Sequence, residues 1–362
     1  MRCGYPQITS AFELLRFPLI LGVVMIHCDI SLYLPAEAAA FDEALRVFTK
    51  CVLRICVPLF FVMSGFLFFR SGTLGRKSLL EKWRRRVHTL LVPYLIWNTL
   101  GLLCMLLKKT PRLAGYFPQY SDFHISFGTL MSGYVAVGDY PYDFVLWFIR
   151  DLMVCVALAP LLWRFLRSTR FAGVCVLFLA SLVFKVCGFS LSEWVCDLSV
   201  SLFWFSLGAV LPICGVGNRG IDCFSRLMPA AWFLSSLALV VFASGNPWIY
   251  RCQDMLVQFT GVFAALYVAL YLTGRGYAVS PWLVSSTFFV YAFHGLYTGL
   301  VVKSVVAVFP PLSDLAAFAD YCIIFLSVVA VSLVFYFILG RYASGVLPFL
   351  GTRRPRNGKE VG

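Results

Sequence analysis

Charge is scarce in this chain. Only 13% of its 362 residues are charged and 60% are hydrophobic, against roughly 25% charged in an average soluble protein. Polar stretches long enough for a separate water-soluble domain are missing, so the apolar segments themselves must carry the function. Acids are scarcer than bases, 17 against 30, which leaves a net charge of +13. No basic stretch with interleaved aromatics occurs in a soluble domain, and most of the 35 phenylalanines fall in apolar runs. The positive excess is therefore read as membrane topology, and nucleic acid is not an expected partner. The 13 cysteines form no CxxC pair, so zinc and iron–sulfur sites are not expected, nor any other metal. Internal repeats are not evident. No small-residue cleavage site follows the first apolar run, which is read as a retained helix.

What is present is a series of apolar runs, each long enough to cross about 30 Å of hydrocarbon. Ten are expected as helices: Phe12–Leu34, Val47–Phe69, Thr89–Leu107, Phe144–Trp163, Phe171–Cys187, Leu198–Cys214, Met228–Ala243, Met255–Thr273, Pro281–Lys303 and Leu315–Leu339. The fold expected is an all-α, polytopic integral membrane protein of about ten transmembrane helices. A basic linker, Arg70–His88, separates the second and third, and a polar connection runs from Lys108 to Asp143. An even number of spans puts both termini on one side. The linker and tail bases share that side, whereas Glu37, Asp42, Asp139, Asp143 and Asp314 fall in the opposite loops. Both termini are thus expected in the cytoplasm. Residues 1–340 read as one ten-helix domain and 341–362 as a basic cytoplasmic tail.

Ionisable residues inside hydrocarbon-length helices are costly and mark function by default. The first run holds Glu13, Arg16 and His27. Eleven steps of about 100° bring His27 back to within about 20° of Arg16's face, about 16 Å further along the helix. Glu13 lies one turn before Arg16 and can pair with it. In the second run Pro58 frees a backbone carbonyl, Ser64 and Gly65 offer a small face for close helix approach, and Arg54 requires a partner or a water-filled cavity. Arg150 and Asp151 can compensate each other in the fourth run. Arg84, Arg85 and Arg86 form a basic cluster at the entrance to the third, suited to topology, anionic lipid or a cytosolic anion. His294 lies near the middle of the ninth, too deep to reach the surface as a terminal residue would.

These residues fall within ordered motifs: LLR at Leu14–Arg16 followed by His27, VPLFFVMSG at Val57–Gly65, VPYLIW at Val92–Trp97, LWFIRDL at Leu146–Leu152, FSLGA at Phe205–Ala209 and FVYAFH at Phe289–His294. Together they resemble the membrane-bound acyltransferase 3 family, bacterial O-acetyltransferases of surface glycans, over nearly the whole chain to about Gly340. The resemblance implies a multi-pass protein of the bacterial inner membrane. It implies acetyl-CoA as donor and co-substrate, and a glycan or lipid-linked saccharide hydroxyl as acceptor, with membrane lipid around both. Coenzyme A carries phosphates, for which Arg16, Arg85 and Arg86 are the expected anchors. The incoming hydroxyl needs a base, and His27 is the expected one. Glu13, Arg54, Ser64, Arg150 and His294 are expected to line the cavity. A secondary transporter or flippase is the alternative, since intramembrane charges and proline-broken helices also mark substrate paths.

Overall fold

The computed structural model describes residues 6–72, 74–120, 123–187, 193–242 and 246–352. The tail from residue 353 onward, expected to be basic and cytoplasmic, lies outside the described residues. Among the described residues the regular elements are all helical: α1 (Pro6–His27), α2 (Ala39–Cys51), α3 (Cys56–Phe69), α4 (Arg76–Arg86), α5 (Val92–Lys108), α6 (Phe127–Val135), α7 (Trp147–Ala157), α8 (Ala159–Thr169), α9 (Phe171–Cys187), α10 (Glu193–Ile213), α11 (Asn218–Ser225), α12 (Met228–Phe242), α13 (Pro247–Gly274), α14 (Pro281–Val308) and α15 (Asp314–Tyr342).

Among the described residues eight helical stretches are long and apolar enough to cross a membrane, and a ninth span is formed if the pair bent by 64° between Ala157 and Ala159 is one crossing. A shorter apolar helix, Phe171–Lys185, occupies the place of the remaining expected run. The protein is a multi-pass helical membrane protein.

Two local features depart from the simplest reading of hydropathy. The stretch expected as a linker is helical from Arg76 and continues through a π turn, Val87–Leu91, into α5. Its Arg, Lys, Leu and Glu residues are good helix formers, and hydropathy marks only where lipid begins. The π turn falls where Pro93 lacks the amide that would pair with the Thr89 carbonyl. Pro58, in turn, does not kink a continuous helix. The chain tightens to a 3₁₀ turn at Leu53–Ile55 and α3 restarts at Cys56, so Pro58 falls in a first turn, where no amide is needed.

The chain forms two compact units. The first comprises Met1–Leu19, Val47–Arg85 and Asp151–Val279. Its centre is the crossing of α3 and α10. A β-carbon on Gly65 would lie 1.9 Å from the Phe205 carbonyl oxygen, and one on Gly208 would lie 2.0 Å from that of Val62. Only glycine at both positions lets the two backbones come so close. Phe69 packs edge-on against Phe68 and Phe205 around the same crossing. Pro160 leaves the Val156 carbonyl without its helical amide, and the Trp83 indole donates to that oxygen at 3.0 Å. Lys82, on the same basic helix, donates to the Phe68 carbonyl at the end of α3.

The second unit comprises Ile20–Arg46, Arg86–Arg150 and Ser280–Gly362. Its core is an aromatic cluster of α5, α14 and α15 in which Trp97 meets Phe289 and Phe293, and these meet Tyr336 and Phe335. Beyond α15 the chain turns back: Leu347, Leu350 and Thr352 are buried, and the Leu350 carbonyl accepts from the Trp97 indole at 3.2 Å. The first ten residues after α15 thus complete this unit's core.

Candidate functional site

The second unit holds both histidines that the sequence singled out. His27 is in the last turn of α1, which ends there in a turn at Cys28. The Tyr321 hydroxyl on α15 donates to the Met25 carbonyl at 3.0 Å and ties down this helix end. The His27 ring is half-buried. It lies 4.9 Å from the Phe144 ring, edge to face, and 5.4 Å from the ring of His294, tilted by 34°.

His294 is 0% exposed in the middle of α14. Its Nδ1 lies 3.0 Å from the Val290 carbonyl oxygen one turn earlier. A carbonyl can only accept, so Nδ1 carries the proton and, in a neutral ring, Nε2 is a bare acceptor. That nitrogen is buried and has no hydrogen-bond partner among the described residues. The sequence singled out both histidines; that they meet was not readable from it.

Asp143, placed by hydropathy in an outer loop, is the residue that the sequence reading missed. It is 1% exposed. Asn98 on α5 fixes the chain here: its amide nitrogen donates to the Gly133 carbonyl at 2.9 Å, and its oxygen accepts from the Asp143 backbone amide at 3.2 Å. Gly101, one turn later, leaves the space this loop fills, since a β-carbon there would fall 2.5 Å from the Asp143 amide nitrogen. The carboxylate reaches α14, where a β-carbon on Gly295 would fall 2.2 Å from Oδ1. Neither carboxylate oxygen has hydrogen-bond geometry to a donor among the described residues. Burial raises this carboxyl well above the ordinary range, against the partial pull of the Lys108 ammonium and the Val145 amide. Lys108 itself donates to the Leu296 carbonyl at 3.3 Å. The spacing Asn98–Gly101 was the available signal for this clamp.

The remaining candidates divide between the units. In the second, Arg150 is buried and donates to the carbonyls of Ala136 and Asp139, so it organises the connection before the bent span. Arg86 is half-buried. In the first unit, Asp151 takes the Trp194 indole at 3.1 Å and the Ser201 hydroxyl at 3.2 Å. Arg54 finds the partner that its position demanded: an ion pair with Asp254 at 2.8 Å, with Gln258 donating to the same oxygen at 2.9 Å. Arg16 and Ser64 are half-buried and Arg85 is exposed. Glu13 is exposed.

The arrangement offers a half-buried imidazole backed by a second one with a bare nitrogen, set in apolar surroundings. Fold and site together define a multi-pass helical membrane protein in which two histidines from distant helices meet. A family model described as an acyltransferase domain, of the acyltransferase 3 type, matches residues 9–337, and the chain belongs to that family. The succinoglycan biosynthesis protein ExoH of Rhizobium meliloti (strain 1021) is 28% identical over 242 residues, which cover 65% of this chain and 62% of that relative. The match thus spans less than two thirds of the relative's length. No solved structure matches the chain.

Proposed function

We propose that this protein is an O-acetyltransferase of the bacterial cytoplasmic membrane, moving an acetyl group from cytoplasmic acetyl-CoA to a hydroxyl of a cell-surface or lipid-linked glycan. The observation that carries this reading is the meeting of His27 with His294. Membership of an acyltransferase family supports the reaction class, and the relative named for succinoglycan biosynthesis supports a saccharide acceptor.

In this reading His27 removes the proton of the acceptor hydroxyl as its oxygen attacks the thioester carbonyl. A C–O bond forms, the C–S bond breaks, and the proton passes from His27 to the leaving thiolate. Both imidazoles end as they began. Arg16, with Arg85 and Arg86, holds the donor's phosphates, and the about 16 Å of helix from Arg16 to His27 matches an extended pantetheine arm.

Membrane vesicles carrying the full chain, supplied with radiolabelled acetyl-CoA, test this. His27→Ala is expected to lower transfer to membrane saccharide by about 100-fold or more, and Arg16→Ala to raise the KM for acetyl-CoA. Full activity in His27→Ala would sink the assignment of the base; an unchanged KM in Arg16→Ala would sink that of the anchor.

A further inference from the structure

We infer that His294 is a positioning residue that acts through His27: its bare Nε2 accepts a hydrogen bond from one ring N–H of His27, which turns the other His27 nitrogen, unprotonated, toward the acceptor hydroxyl. The inference rests on the acyl-transfer reading and adds to it a residue that never touches the substrate.

Three observations carry it. The Val290 carbonyl fixes the His294 proton on Nδ1, so the tautomer is set by the helix backbone itself. Nε2 is then a buried acceptor with no donor among the described residues, and an unmet buried acceptor is costly. Finally, the nearest polar ring is His27, whose centroid stands 5.4 Å away. At that separation nitrogens on facing ring edges come within hydrogen-bond reach of about 2.6–3.2 Å after a small rotation, the tightening expected when a catalytic site fills. Phe144 covers another flank of His27 with an apolar ring.

The group behind the base has two effects. It selects the His27 tautomer, so the nitrogen facing the hydroxyl has its lone pair available. It also shares the positive charge that His27 holds between taking the hydroxyl's proton and giving it to the thiolate, much as an orienting partner supports the base of a catalytic triad. The position of α14 matters for the same reason. Asp143 packed against Gly295 sets the height of the neighbouring His294.

Two isosteric substitutions separate this role from packing. In His294→Gln the amide oxygen can occupy the place of Nε2; in His294→Asn the side chain ends at the place of Nδ1. With radiolabelled acetyl-CoA and the endogenous membrane saccharide, His294→Gln is expected to retain kcat within about tenfold of the wild type. His294→Asn and His294→Leu are expected to fall by about 100-fold. The KM for acetyl-CoA should stay unchanged in all three, and the unfolding temperatures of the Gln and Asn variants in nanodiscs should agree. Equal kcat in the Gln and Asn variants, or losses that track unfolding temperature, would overturn the inference and leave the acyl-transfer reading intact. Wild-type vesicles that transfer no label would overturn both.

Discussion

A buried carboxylate without a well-aligned hydrogen-bond donor is an unstable charge. Asp143 is such a group, buried against Gly295. Its folded-state pKa is raised by burial, with Lys108 and the Val145 amide opposing, so the folded protein binds this proton more tightly than the unfolded chain does. Stability is therefore present at low pH and declines as pH climbs from about 4, the unfolded value, toward the raised one. The slope within that window is as much as about 1.4 kcal/mol per pH unit. Asp143→Asn, which keeps the shape without the charge, should remove this decline and gain on the wild type as pH increases. Thermal unfolding of both proteins in nanodiscs across pH checks it; parallel curves would show that Asp143 is not the group responsible. Arg54 is the opposite case. Its need for a partner followed from its place in an apolar run, but Asp254 lies 200 residues away, and no local pattern names a partner at that distance.

Among the elements, the crossing of α3 and α10 is the least forgiving. A methyl group on Gly65 would meet backbone rather than a movable side chain, so relief requires the helices to separate. Gly65→Ala is expected to destabilise by about 1–3 kcal/mol or more. Gly299→Ala, on α14 with open space around the added carbon, should be neutral or slightly stabilising. Comparing unfolding temperatures of the two variants tests this, and equal losses would contradict the crossing. The small face at Ser64 and Gly65 was readable in the sequence, as were the apolar runs, because lipid imposes a strong and local demand on composition. The bend after Ala157 was not, although Pro160 marks it: a proline also fits a smooth helix start, and only the Trp83 indole on the Val156 carbonyl distinguishes the two. The basic stretch before α5 read as a linker for a similar reason, since polarity and helicity are independent properties.

For the whole molecule, the charge pattern yields a prediction about orientation. With both termini in the cytoplasm, a green fluorescent protein fused after Gly362 should fluoresce. Alkaline phosphatase fused after Tyr120 should be active, and after Arg76 inactive. The reverse pattern would place His27 on the cytoplasmic side and remove the path proposed along α1. The class of fold was fully open to inspection in the sequence; the site was open only as separate residues. His27 and His294 each stood out as costly, and Asp143 did not, because a polar loop that folds inward looks the same in sequence as one that stays in water.

The unit that holds the histidine pair takes its parts from residues 20–46, 86–150 and 280–362, so its two imidazoles leave the ribosome far apart in time. At about 5–20 residues per second, His27 waits tens of seconds for its counterpart, and the contact of Leu350 with Trp97 forms later still. A chain that stops before His294 therefore leaves the first helix in the bilayer with a lone imidazole. If the proposed pair is the working unit, such a chain is expected to transfer no acetyl label in the vesicle assay.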